Sequence, residues 1–251
     1  MTNQNAAQGT YYENLFRREI VKDPQNIKKI TEAFSELVSE NPKIEFIVRE
    51  GQYGKKSDVF ISTTGGQTFK ASIKSFKGTG FNQVTRMKID AFVDRFGFSD
   101  SFKQVLEKST IRKAIAKNRR INWISHEDTD FILSELNHNK AFDILKNGLL
   151  GENTPKLFVL IKYDDQIIWV YKMEELLDYL NKTINVEITK NGVISLHSCF
   201  TIQRKGGNGR REDSLRKKDD LDHGGNNIQV KIKCLALSKL LEPITTIKYN
   251  D

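Results

Sequence analysis

An α/β fold with a mixed central sheet flanked by helices is what this sequence predicts, and three observations carry the prediction. "SDVFIST" (57–63) and "TFKASIKSF" (68–76) are β-rich runs separated by Gly65-Gly66, a direct hairpin signal. "PQNIKKITEAFSELVSENP" (24–42) sets Ile27, Ile30, Phe34, Leu37 and Val38 at helical spacing. A second β block, "KLFVLIKY" and "QIIWVYK" joined by Asp164-Asp165, follows a long helical stretch, so helices and strands mix along the chain.

Each element follows in order. Residues 10–22 carry Tyr11, Leu15, Ile20 and Val21 among charges, which with 24–42 gives a helical N-terminal part over 10–42. "KIEFIVRE" (43–50) alternates and opens a strand-and-hairpin region over 43–76. "FNQVTRMKIDAFVDRFG" (81–97) sets Val84, Met87, Phe92 and Val93 on one side of a helix that Gly97 stops. "DSFKQVLEKSTIRKAIAKN" and "EDTDFILSELNHNKAFDILKNGLLG" add further helices, and "MEELLDYLNK" a short one. "VEITKNGVISLHSCFTIQRK" reads as strand, turn, strand, and "NNIQVKIKCLAL" as a last strand. Four scattered prolines leave no Pro-rich linker, and no repeat appears, so a single domain over 1–251 is expected.

Composition narrows the function classes. No run approaches eighteen consecutive apolar residues, and "MTNQNAAQGTYYENL" lacks the basic-then-apolar pattern of a signal peptide. Cys199 and Cys234 make no disulfide framework and have no zinc-ligand spacing around them, which suits a reduced cytoplasm. The net charge of +8 and a pI of about 9.3 favour a polyanionic partner. Within the C-terminal region 199–218, residues 204–218 hold seven Lys or Arg against two acids. Arg210 and its neighbours there suit phosphate contact, among glycines that permit close backbone approach. A second basic cluster, "KNRRINW" (117–123), is weaker.

The hairpin carries chemistry of its own. Alternate residues of a strand share a face, so Ser72 and Lys74 project together, and the partner strand can bring Asp58 beside them. Phosphodiester hydrolysis needs a divalent ion and a positive group that orients the nucleophile. Asp58 suits the first need, with the Ile73 carbonyl and Ser72, directly or through water, as further oxygens for hard Mg²⁺. Lys74 suits the second. The same residues also fit a surface hairpin with a charge at each end. Directly after it, "KGTGFNQVTR" (77–86) is a glycine-rich turn rich in amides, groups that hydrogen-bond base edges.

Asp58 in "SD", Lys74 on the next strand, "GFNQ" (80–83) and "FTIQRKGGNGR" (200–210) together resemble type II restriction endonucleases of the MspI/HinP type. The resemblance covers most of the chain, and "GFNQ" with "TIQRKGG" is its specific part. It implies a single-domain PD-(D/E)XK nuclease fold that cuts double-stranded DNA at a short, CpG-containing palindrome, with Mg²⁺ and Mn²⁺ as a substitute. By position, Asp58 looks like the metal-binding acid, Ser72 like a Gln/Asn position and Lys74 like the catalytic lysine. Glu13, on the first helix, matches a secondary acid near the metal. Asn82 and Gln83, on a DNA-reading helix over 81–97, match residues that read or unstack central bases, and Arg86 a basic residue aimed at a base edge. Thr201, Gln203, Arg204 and Lys205 match a major-groove strand and phosphate clamp. A bacterial cytoplasmic enzyme, monomer or homodimer, with a cognate DNA methyltransferase in the same system, completes the expectation.

Two departures stand out: Ser72 is shorter than Gln or Asn, and Asn208 replaces the aspartate that usually follows "KGG". "IQVK" (228–231) imitates Gln-x-Lys but reads as a strand beside the TIQRK strand. His126, His138, His197 and His223 do not cluster, and no GxxxxGK[ST] loop occurs. Two other readings stay open: a catalytically impaired sequence-specific DNA-binding protein, and a non-specific repair nuclease.

Overall fold

The structure, a computed structural model, describes residues 4–34, 42–50, 57–118, 120–207 and 215–250. In chain order the elements begin with α1 (Gln4–Ile20), α2 (Pro24–Phe34), β1 (Ile44–Arg49), β2 (Val59–Thr63), β3 (Thr68–Phe76) and β4 (Phe81–Met87). Four helices follow: α3 (Ile89–Phe96), α4 (Asp100–Ile115), α5 (Thr129–Glu135) and α6 (His138–Leu150). Then come β5 (Leu157–Lys162), β6 (Ile167–Lys172), α7 (Met173–Thr183), β7 (Glu187–Ile188), β8 (Ile194–His197) and β9 (Phe200–Arg204). The chain closes with β10 (Ile228–Lys233), α8 (Cys234–Leu237) and β11 (Thr245–Lys248). The fold is α/β, with a mixed sheet and helices, as the sequence predicts.

Two compact units form, one from residues 1–82, 149–179 and 233–251, the other from 83–148 and 180–232. The first holds a six-stranded sheet in the order β1-β2-β3-β5-β6-β11. Only β3 and β5 run parallel, with Ala71 opposite Leu157 and Lys74 opposite Leu160. The β2–β3 hairpin turns where expected, with Gly66 at φ 75° and its N–H donating to the Thr63 carbonyl at 2.8 Å. That conformation suits glycine, which carries no Cβ to clash.

Alternation decides what β3 shows to each side. Phe69, Ala71 and Ile73 join Val59, Ile61, Val159 and Ile161 in a buried cluster with Tyr12, Leu15, Phe16 and Ile20 of α1 and Ile27 and Ile30 of α2. Burying each large apolar side chain contributes about 1.5–3 kcal/mol. Ser72 and Lys74 take the opposite side of the strand. β5 is buried from Leu157 to Ile161, which is why "LFVLI" is continuously apolar: both of its faces are covered.

On α1, Glu19 is 2% exposed and is clasped by Arg18 at 2.8 Å and Lys22 at 2.7 Å. Burial alone would raise its pKa, but hydrogen bonds from Lys22 and Arg18 pull it below the ordinary value of 4.5. A carboxyl depressed in the folded state contributes stability above its unfolded pKa and loses it as pH falls through the folded one. Stability is therefore expected to decline below about pH 4.5. Glu19→Gln should flatten that acid limb in thermal melts recorded across pH.

In the second unit, β10, β9, β8 and β7 lie side by side in that order, with β4 on the other side of β10. β10 pairs antiparallel with β9, so the strand reading of "IQVK" holds. Phe92, Phe98 and Phe102 stack at 4.0–5.5 Å beside the α3–α4 junction, where Ser99 caps α4 by accepting from the Phe102 N–H. Trp123 is buried, its indole N–H donating to Thr110 Oγ1 at 3.1 Å.

The structure corrects three expectations. Residues 81–97 are not one helix: 81–87 are β4, and only Ile89–Phe96 is helical. Val84 and Met87 fit a helical spacing, but pairing beside β10 satisfies the backbone of 81–87 as a strand. Lys88, extended at φ −65°, ψ 159°, separates the two elements. Second, 186–205 hold three strands instead of two, since β7 and β8 form an extra hairpin ahead of β9. Third, "IQVKIKCLAL" is strand only to Lys233, and the short β11, unanticipated, pairs with β6. The N-terminal helical part is described as far as Phe34, with 35–41 outside the described residues. Cys199 and Cys234 are buried and form no disulfide, and among the described residues no helix is long and apolar enough to cross a membrane.

Candidate active site

Asp58 lies one residue before β2, and its backbone is fixed from both sides. Its N–H donates to the Ala71 carbonyl at 2.8 Å, and its carbonyl accepts from the Glu50 N–H at 2.9 Å. The side chain crosses to β3, where Oδ2 accepts from the Ile73 N–H at 2.6 Å. One backbone donor thus fixes the carboxylate and leaves its remaining lone pairs for another ligand. Ser57, fully buried, donates to Glu50 Oε2 at 2.6 Å and anchors the approach to the acid.

Lys74 completes the arrangement. Its Nζ donates to Ser72 Oγ at 3.3 Å and to the Ile73 carbonyl at 3.1 Å. Ser72 is 2% exposed, so it is an internal prop for the ammonium and not a surface hydroxyl. The predicted group of Asp58, Ser72, Ile73 and Lys74 is brought together.

Glu13 joins it from α1, hydrogen-bonded by Arg49 at the end of β1. Burial raises the Glu13 pKa above the usual carboxylate value, against the pull of the Arg49 hydrogen bond. The negative charge of Asp58 raises it further, while Arg49 and Lys74 lower it. The Asp58 carboxylate, the Ile73 carbonyl and the Ser72 hydroxyl are all oxygen donors, and Glu13 is coupled to Asp58 electrostatically. That set fits a hard divalent cation and would suit one that keeps several waters. Among the described residues no group of three or more His, Cys, Asp or Glu side chains is placed to hold a metal. Any ion here would therefore rest on two carboxylates at most.

Asn82 is also tied to this strand: its Nδ2 donates to the Ser75 carbonyl at 2.6 Å and to Cys234 Sγ at 3.5 Å. Burial pushes the Cys234 thiol up, while Asn82 and the nearby Lys74 pull it down.

The expected DNA-contact residues divide by strand face. Gln203 on β9 stands opposite Gln229 on β10, and Thr201 opposite Lys231. Gln229 Nε2 donates to Gln83 Oε1 on β4 at 2.7 Å. Three glutamines therefore form a row across β4, β10 and β9, with Thr201 and Lys231 on the same face. Gln229 and Thr201 are buried, Gln203 and Lys231 half-buried, and Gln83 exposed. Thr201 Oγ1 is buried without a hydrogen-bond partner. Asn82, Arg86 and Arg204 alternate to the opposite faces of their strands; Arg204 Nε donates to Asn226 Oδ1 at 2.8 Å. Lys205 follows β9, its Nζ 3.3 Å from the Gly206 carbonyl. Arg210 lies outside the described residues.

No protein-family model matches the chain, and no curated protein matches it. Among solved structures, the chain is similar to restriction endonuclease MspI in complex with its cognate DNA. That likeness has 10% sequence identity, covers 89% of this chain and 88% of that one, and has a TM-score of 0.47.

Gln229 and Lys231, which imitate Gln-x-Lys in the sequence, stand in the glutamine row, and Arg49 and Glu50 adjoin the hairpin group. For the first two a signal existed: "IQVKIK" alternates, with Ile228, Val230 and Ile232 buried, which leaves Gln229 and Lys231 to share the other face. For Arg49 and Glu50 there was none, because only tertiary packing sets Arg49 against Glu13 of α1 and Glu50 against Ser57.

Proposed function

We propose that the protein is a Mg²⁺-dependent type II site-specific deoxyribonuclease, hydrolysing double-stranded DNA at a short palindrome of four base pairs containing CpG. The observation that carries this reading is the meeting of Asp58, the Ile73 carbonyl, Ser72 and Lys74 at one place on the β2–β3 hairpin. The positive net charge supports a polyanionic substrate, and "GFNQ" with "TIQRKGG" supports the sequence-specific class. A cognate methyltransferase and a bacterial cytoplasm belong to the same reading, as does action across the palindrome by a homodimer or by successive nicks from a monomer.

Asp58, Glu13 and the Ile73 carbonyl would hold the cation, with Ser72 adding a hydroxyl directly or through water; Mn²⁺ would serve in place of Mg²⁺. The bound ion supplies Lewis acidity at the phosphate and lowers the pKa of a water. Asp58, fixed by the Ile73 N–H, presents its carboxylate without having to reorganise. Lys74, seated on Ser72 and Ile73, would orient the attacking water and offset the charge that builds in the pentavalent state. Arg49 keeps Glu13 in place and balances part of its charge.

Specificity would be read by the glutamine row, whose amides can both donate to and accept from base edges. Gln203→Ala is expected to lower discrimination at one base position by on the order of 1–3 kcal/mol, measured as relative cleavage of single-mismatch duplexes. Equal losses on every sequence would instead make Gln203 a backbone contact. Digestion of a sequenced plasmid tests the whole reading. Discrete fragments in Mg²⁺ support it, a smear points to a non-specific nuclease, and intact plasmid in Mg²⁺ and Mn²⁺ overturns catalysis.

A further inference from the structure

Arg204 looks away from the glutamine row, and what it looks into is built. The end of β9, the end of α4 and the stretch around Lys218–Asn226 enclose a cavity of about 420 Å³. Lys113, Arg204, Lys218 and His223 line it, with Ala114, Ala116 and Gly207 filling the remaining wall. No acidic side chain is among these described lining residues.

The walls are held by internal bonds. Asn226 is 1% exposed and uses its whole amide on them. Its Oδ1 accepts from Arg204 Nε at 2.8 Å, and its Nδ2 donates to the carbonyls of Lys218 at 2.9 Å and Asp220 at 2.6 Å. The Gly206 N–H donates to the Gly225 carbonyl at 2.9 Å. A Cβ on Gly225 would lie 2.2 Å from the Gly207 carbonyl oxygen, so only glycine lets these two backbone stretches close. His223, 3% exposed, accepts from the Gly225 N–H on Nδ1 at 3.0 Å. An imidazole that accepts on Nδ1 carries its hydrogen on Nε2, the donor left for the cavity. Lys113 also donates to the Ile121 carbonyl.

Among the described residues, every charged side chain that lines the space is a donor. Burial, then the nearby Arg204 and Arg112, hold Lys113 below the usual lysine value, and burial lowers Arg204 as well. Cations gathered on one wall, two of them half-buried, with no acid among the described lining residues are relieved by an anion. A guanidinium fork beside ammonium groups matches the oxygens of a phosphate better than a planar carboxylate alone. The volume is that of a small-ligand site, which leaves room for whatever the phosphate is attached to.

We propose that this cavity is a phosphate-binding pocket for a phosphate ester, formed by Arg204, Lys113, Lys218 and His223. The source of the phosphate is either the backbone of a nucleic acid or a small phosphorylated molecule. The inference does not rest on the nuclease reading, because the pocket binds inorganic phosphate or fails to whether or not the chain cuts DNA.

The test uses the full chain without divalent cations, together with two variants. His223→Asn keeps an acceptor for the Gly225 N–H and removes the Nε2 donor; Lys218→Met changes an exposed side chain whose backbone carbonyl still accepts from Asn226. Melting temperature is followed against inorganic phosphate, with NaCl of equal ionic strength as control, and melts without phosphate confirm that the variants fold. The wild type should show a saturable rise, and each variant should need about tenfold more phosphate for the same rise. The second arm measures binding to duplex DNA as salt is varied. If the phosphate is DNA backbone, the variants bind all sequences more weakly and their salt slope is shallower by about one. If it belongs to a small molecule, DNA binding and slope match the wild type while the phosphate response is lost. The proposal is overturned if phosphate acts no differently from NaCl on the wild type, or if both variants match the wild type in both arms.

Discussion

Asp58→Asn is expected to reduce DNA cleavage in Mg²⁺ by on the order of 10³-fold or more while leaving the fold and DNA binding in place. The asparagine retains an oxygen that accepts from the Ile73 N–H, so the 2.6 Å bond that crosses from β2 to β3 has a replacement. What disappears is the charge. A cation held at the reacting phosphate stabilises the transition state by several kcal/mol, and each 1.36 kcal/mol is a factor of ten. The loss should also relieve Glu13, whose ionisation Asp58 opposes. Single-turnover cleavage and a binding assay without divalent cation separate chemistry from recognition. An Asp58→Asn protein that cuts at the wild-type rate removes Asp58 from the site.

Lys74→Met is expected to cost about 10²–10³ in the cleavage step, or about 2.7–4 kcal/mol, the range found when one preorganised donor is removed from a transition-state site. The unbranched methionine fills much of the half-buried space, so the packing of β3 survives. The ammonium that spans Ser72 Oγ and the Ile73 carbonyl is lost. The expected signature is a fall in the rate constant at saturating enzyme, with DNA affinity changed far less. A variant that binds DNA poorly but cuts normally once bound would make Lys74 a phosphate contact instead.

The hairpin and the grouping of its Asp58, Ser72 and Lys74 were legible because they are local. Gly65-Gly66 announces the turn, and period-two alternation puts Ser72 and Lys74 on one side without knowledge of anything distant. The same rule, applied to "TIQRK", splits Gln203 from Arg204, which lie on opposite faces of β9. The misreading of 81–97 has a physical cause as well. Phe81, Val84 and Met87 are three apart, the spacing of one helix face, yet in the strand they fall on alternate faces, and the pairing with β10 overrides the pattern. Glu13 came forward through resemblance alone, since nothing in a helical stretch announces that Arg49 will hold its carboxylate near Asp58. The burial of Ser72 was equally invisible, because it depends on what covers the far side of β3.

The pairing of β3 with β5 has a consequence for the order of events in folding. β2 and β3 can zip as soon as both are made, but the partner that flanks β3 on its other edge begins only at Leu157, after α3 to α6. Parallel pairing over so long a separation is slow, since loop closure must precede its reward. The strand bearing Ser72 and Lys74 therefore gains its second edge late. A nascent chain that ends before Leu157 holds the hairpin and its residues, but not the rigid support that keeps them aligned.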